Sequence, residues 1–283
     1  NCSAGTASNY TISYTAGSVN INQATPAFSN FSNVSKTYGA SNFNLTSPTV
    51  AGSVPGTWTY SSGTTSVISV NGSSATVVGA GTSLITATFT PNDTVNYVSG
   101  GTTTMTVTVS KATQPVVISA TSTNFNLGQS DTFTATIAVG ALGTATFSAG
   151  GNTLCTTGVL NSDGSAQCAW TPTVAGTYSV TAAYSGDSNY MTATSSASSI
   201  VVNSVITYDT NGATGTAPTA FTSPGTSTTL PLGTGLSKSG YTFGGWSTTS
   251  SGAAISSTYS STTSRTLYAV WTANSYTITY NAN

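Results

Sequence analysis

The 283-residue chain contains no histidine and no glutamate, and charge of either sign is scarce. Four Lys plus Arg stand against five acidic residues, all aspartate (Asp93, Asp131, Asp163, Asp187, Asp209), so charged groups reach 3% where ordinary soluble proteins carry about a quarter. Without imidazole the commonest general base and metal ligand is missing. A net charge of -1 leaves no basic patch for phosphates and no polybasic stretch for an anionic bilayer, which argues against nucleic-acid and membrane partners. No run of about 18 apolar residues offers a membrane span. No charged-then-apolar leader opens the chain, which reads as a mature, exported segment.

What is present is hydroxyl: Thr and Ser together exceed one hundred residues, joined by 29 Gly. A hydrophobic content of 37%, with 14 Tyr, 9 Phe and 4 Trp, is too apolar for a disordered Ser/Thr tail. Thr, Val, Tyr, Phe and Ile suit strands, and the charged helix formers are nearly absent, so the expected class is all-β.

There are three cysteines. Cys155 and Cys168 lie either side of the turn sequence Asn161-Ser162-Asp163-Gly164, in segments 153–160 and 165–170 that read as two strands of one hairpin. A disulfide there contributes about 3 kcal/mol in the chain-entropy model and implies an oxidising compartment; the alternative is two buried free thiols. Cys2 is left to pair with another chain, to pair with a part of the protein outside this sequence, or to stay free.

Turn punctuation recurs about every ten residues between alternating strands, the pattern of small β-sandwiches. At about 90 residues per unit, modules are expected over 25–112 and 113–203, with Trp58 as the core aromatic of the first and a polar joint at 111–115, where Pro115 favours extended backbone. Residues 35–39 (Ser35, Lys36, Thr37, Tyr38, Gly39), the segment 77–88 with Gly79 and Gly81, and the close at 107–113 resemble bacterial Ig-like repeats of surface proteins. Residues 116–202 are similar to a second Ig-like type found in tandem in large adhesins. They carry Leu127-Gly128-Gln129, the stretch 175–182 from Ala175-Gly176-Thr177-Tyr178, and most specifically the run Tyr184-Ser185-Gly186-Asp187-Ser188-Asn189-Tyr190. Residues 204–273 resemble an internalin-type B repeat, a small β-grasp-like unit. The carrying residues are the opening 206–212 with Tyr208-Asp209-Thr210-Asn211-Gly212, then Gly240-Tyr241-Thr242-Phe243-Gly244-Gly245-Trp246, then Leu267-Tyr268-Ala269-Val270-Trp271. These resemblances imply tandem Ig-like β-sandwiches followed by a β-grasp-like repeat, elongated as beads on a string. They bring no catalytic residues.

The terminal stretches read as orphan strands. Residues 278–283 repeat 206–211 except for Asn281 and Ala282 in place of Asp209 and Thr210, so 274–283 reads as the first strand of a further repeat or as a donor strand. Residues 1–24 read as the terminal hairpin of a preceding or neighbouring Ig-like unit. Unpaired strands offer N–H and C=O groups to any sheet edge. Either the chain is a window on a longer tandem array, or chains exchange strands through Tyr10, Ile12, Tyr14, Tyr276, Ile278 and Tyr280.

Chemistry finds little footing. Serine nucleophiles lack a histidine base, and Lys36, Lys111 and Lys238 read as turn or joint residues. The five aspartates fall in separate turns or strand starts, which disfavours a glycosidase pair and suits turn formation. Asp163 and Asp187 each supply one carboxylate where calcium sites assemble several. Lysine–asparagine isopeptide crosslinks fit poorly. Asn9, Asn30, Asn33, Asn44, Asn71 and Asn92 begin N-x-Ser/Thr sequons and are the candidate glycosylation positions. Trp58, Trp170, Trp246 and Trp271 sit in strand or family-core sequence, which favours packing over sugar stacking. The expected protein is a non-enzymatic, cofactor-free and metal-free repeat segment of a bacterial surface or secreted fibre, adhesin stalk or filament. Its expected partners are identical chains or adjacent repeats end to end; the alternative is an adhesin module binding glycan or a host or neighbour protein.

Overall fold

The computed structural model describes Gly17, Ser18 and residues 20–281. The chain divides into two compact units, Asn1–Ser110 and Lys111–Asn283. Among the described residues the only helical turn is a 3₁₀ segment, Ala51–Ser53.

Among its described residues the first unit holds nine strands: β1 (Phe28–Ser29), β2 (Val34–Thr37), β3 (Phe43–Asn44), β4 (Thr49–Val50), β5 (Gly56–Ser62), β6 (Ile68–Asn71), β7 (Ser74–Val77), β8 (Gly81–Pro91) and β9 (Gly101–Ser110). One sheet runs β2-β9-β8-β5 and a second β3-β7-β6, with β1 and β4 paired apart. In β8 Ser83, Ile85, Ala87 and Phe89 are buried and alternate with Thr and Leu that are not, the period-2 signature of a sheet with one face on a core. That core is Leu45, Val67, Ile68, Ala75, Ile85, Met105, Val107 and Val109. Trp58, expected at its centre, is instead half-buried, 5.0 Å from the rings of both Phe28 and Phe89. Lys36 lies in strand β2 rather than in a turn.

The second unit begins with β10 (Val117–Ala120), β11 (Asn124–Asn126), β12 (Asp131–Thr136), β13 (Thr144–Ala149), β14 (Asn152–Val159), β15 (Ser165–Trp170), β16 (Gly176–Tyr184) and β17 (Ala193–Thr194). The 12-residue β18 (Ser198–Asp209) follows, then β19 (Phe221–Ser223), β20 (Thr228–Thr229), β21 (Tyr241–Ser247), β22 (Thr258–Tyr259) and β23 (Arg265–Ala273). A sheet β10-β12-β15 faces the path β14-β13-β16-β18, and between them pack Phe133, Phe147, Val180, Ile200 and Val202.

The boundary expected at 203/204 falls inside β18. Its first half pairs with β16 and β11 of the sandwich, and its second half pairs with β19 and, in parallel, with β23. The same sheet therefore continues from the sandwich into the repeat and ends at β21. A separate small core, Ile206, Leu230, Trp246, Leu267 and Ala269, fills the repeat.

Candidate functional site

Cys155 and Cys168 are bonded, with Cα atoms 6.3 Å apart, but the expected hairpin does not exist. β14 pairs with β13, and β15 pairs with β12 in the opposite sheet. The turn 161–164 crosses between sheets instead of reversing within one. Gly164 there, at φ +80°, sits where a Cβ would strike the Ala138 carbonyl, so a side chain would force the crossing apart. Because β14 and β15 are both edge strands, the bond clasps one open side of the sandwich.

The run 184–190 is a polar knot. The Asp187 carboxylate accepts from the backbone N–H groups of Leu142 (2.8 Å), Asn189 (2.7 Å) and Tyr190 (2.8 Å) and from the Tyr184 hydroxyl (2.9 Å). Burial pushes the Asp187 carboxyl up, but these hydrogen bonds outweigh it and hold the group below the ordinary carboxylate value. Burial first, and the bond to Asp187 second, raise Tyr184 to about 12. The Lys111 ammonium donates to the Asp187 carbonyl. Asp93, Asp163 and Asp209 likewise accept local backbone N–H groups. Asp131 differs: it is buried and reaches back to the Ser122 N–H, and its Oδ2 has no partner.

In the repeat, residues distant in sequence converge. Asn211, at φ 53°, sends its amide to the Ser250 and Ala269 carbonyls. Lys238 Nζ donates to the Asn211 carbonyl at 3.0 Å, and Trp271 Nε1 to Thr210 O at 3.0 Å. Trp246 is 2% exposed and bonds Pro231 O through its indole N–H. All four tryptophans pack against other rings, including Trp170 on Tyr178 and Trp271 on Phe243, so none stands as an open sugar platform.

The sequons Asn30, Asn33 and Asn44 gather around one groove of about 260 Å³ in the first unit, beside Phe31 and Phe43. The Asn33 Oδ1 accepts the Thr106 N–H (2.8 Å) and Asn30 Nδ2 donates to Thr49 Oγ1 (3.1 Å). Asn71 and Asn92 are exposed elsewhere in that unit. Asn9, Cys2, Tyr10, Ile12 and Tyr14 lie outside the described residues. Tyr276, Ile278 and Tyr280 are 77%, 75% and 87% exposed and belong to no strand.

One constellation escaped sequence reasoning. Tyr259, the hydroxyl loop 260–263 and Arg265 line an open groove with Thr248 and Gly225. The available signal was the single arginine of the chain, placed directly after a Ser/Thr run.

Residues 118–203 match the family profile "Bacterial Ig-like domain (group 3)", and residues 205–270 match the "Listeria-Bacteroides repeat domain". No curated protein matches the chain. Among solved structures, the adhesin InvE of Yersinia pseudotuberculosis is similar at 15% identity and TM-score 0.30, over 60% of this chain and 56% of that one. The D00-D0 domain of intimin gives 16% and 0.24, over 59% and 94%. The titin domains z1z2, solved in complex with telethonin, give 16% and 0.33, over 64% and 98%. The chain thus spans just over half of the InvE structure. It carries tandem repeats of bacterial surface-protein type, an Ig-like domain followed by a Listeria-Bacteroides repeat. That combination indicates a cell-surface or extracellular protein.

Proposed function

We propose that the chain is a load-bearing segment of a surface adhesin stalk or fibre. The observation that supports this most is the module joint. β18 runs unbroken from the sandwich into the repeat, so its backbone hydrogen bonds leave no flexible linker there. Ser204, fully buried at the crossing, donates from one hydroxyl toward both the Ser223 (3.0 Å) and Ser261 (2.8 Å) carbonyls, and Ala175 N–H bonds Thr262 O. The Cys155–Cys168 bond adds a covalent stop to extension of the sandwich. Single-molecule pulling of the chain tests this reading. The expected trace has the sandwich and repeat resisting together, with extra contour length released only after reduction. A trace that lengthens like a featureless entropic spring sinks the proposal.

A second reading, polymerisation by strand donation, draws on residues 275–281. They place Tyr276, Ile278 and Tyr280 at alternate positions, exposed, with no strand partner among the described residues, in a sequence that copies the second half of β18, the part that belongs to the repeat. Identical chains would then associate end to end. Sedimentation of the chain against Ile278→Asp tests it: concentration-dependent association should vanish in the variant, and a chain that stays monomeric at all concentrations ends this reading.

A further inference from the structure

The chain holds four cationic side chains, and three are used internally. Lys36 Nζ sits 4.8 Å from the Phe43 ring centre, Lys111 donates to Asp187 O, and Lys238 donates to Asn211 O while lying 5.3 Å from the Tyr241 ring. Arg265 is exposed at the start of β23, and its guanidinium has no hydrogen bond, ion pair or aromatic ring among the described residues. It opens onto a groove of about 580 Å³ whose other walls are almost entirely hydroxyl: Thr248, the half-buried Tyr259 and the loop 260–263.

That loop is held in place by the joint rather than left free. The Ser261 carbonyl takes the Ser204 hydroxyl, the Thr262 carbonyl takes the Ala175 N–H, and the Ser261 hydroxyl donates to Thr263 O at 2.7 Å. Ser264 Oγ accepts the Val205 N–H at 3.0 Å. Gly225, at φ +90°, lets its backbone approach Thr262 where a Cβ would stand 3.1 Å from the Thr262 methyl. A pre-ordered wall loses little entropy on binding. A planar guanidinium in a neutral surround is suited to a bidentate carboxylate, and flanking hydroxyls both donate to and accept from sugar hydroxyls.

We propose that this groove binds a carboxylate-bearing sugar, a sialic or uronic acid unit of a glycan, with Arg265 on the carboxylate and the 260–263 hydroxyls on the ring. The site is independent of whether the chain bears load. The test is an NMR titration of the whole chain with N-acetylneuraminic acid, glucuronic acid and, as the uncharged control, galactose. The expected result is saturable shifts confined to Thr248, residues 259–265 and Gly225 for one or both acids, weakened by added salt, with little response to galactose. Arg265→Gln should weaken binding by about tenfold or more, and Arg265→Lys, which keeps charge but loses the fork, should fall between. Which acid saturates first distinguishes the two sources. No saturable shift for either acid, equal response to galactose, or unchanged affinity in Arg265→Gln overturns the proposal.

Discussion

In the first unit the sandwich closes on aliphatic side chains, with Ile68, Ile85 and Val107 between its sheets and Phe28, Trp58 and Phe89 packed edge-on or tilted against one another. In the second, Phe133 and Phe147 fill the middle, Cys155–Cys168 clasps the edge strands, and β18 passes on into the repeat. Among the described residues the first unit is held by packing and hydrogen bonds; the second adds a covalent clasp and a continuous strand. Non-covalent closure is sensitive to every buried methylene, whereas a clasp and a shared strand distribute load beyond the core that holds them.

The largest expected effect comes from removing an aromatic from the clasped core. Phe147→Ala should cost the second unit about 3–5 kcal/mol, read by hydrogen exchange at β16 amides, while β8 amides in the first unit stay protected. Equal loss in both would erase the contrast. Next, reduction of Cys155–Cys168 should lower the second unit by about 3 kcal/mol with no change at β8; an unchanged melting profile would make the clasp incidental. Ser204→Val, which strips the hydroxyl from the joint and leaves the Ser223 and Ser261 carbonyls short of a donor, should cost about 1–3 kcal/mol. In pulling, it should separate the repeat's unfolding from that of the sandwich. Asn33→Ala, which removes the acceptor for the Thr106 N–H, should cost the first unit about 1 kcal/mol and leave the second untouched.

The smallest effect is in pH. Asp187 is held below its ordinary 3.8 in the folded state, so its contribution is present above that value and is lost as pH falls through the lower folded value. Tyr184 is raised from 10.0 to about 12, so its contribution is complete below pH 10 and is lost between 10 and 12. In the first unit the Asn96 side chain and backbone lower Asp93 in the same sense, at an exposed turn. Melting temperature should therefore be flat from about pH 5 to 9, with a steeper fall at alkaline pH in the second unit than in the first. A transition near pH 6.5 has no histidine to explain it.

Much of this was legible in residues. Alternation in β8 and β9, the turn role of Asp93, Asp163, Asp187 and Asp209, and the packing of Trp246 and Trp271 in the repeat's core follow from local pattern or from the repeat motifs. The Cys155–Cys168 pairing was also legible, but for the wrong neighbourhood. An Asn-Ser-Asp-Gly turn looks the same whether the chain folds back in one sheet or crosses to another, because the choice lies in β12 and β13, which outcompete each other's partners for β15 and β14. Trp58 was misplaced for a related reason: alternation tells which face a residue lies on, not how far along the sandwich the filled core extends.

Scarcity of charge, written in composition, determined that this is a β-protein whose surfaces are hydroxyl and whose few cations are individually consequential. Composition could not decide that three of those cations are engaged by rings and carbonyls while Arg265 stays open. Nor could it decide that one strand would serve two modules. Lys36 meets Phe43 and Lys238 meets Tyr241 close by in sequence, but the shared strand and the Lys111 contact depend on residues fifty or more positions apart, Ser204 with Ser261 and Lys111 with Asp187. Local propensity carries no term for those contacts; only the closed tertiary structure supplies it.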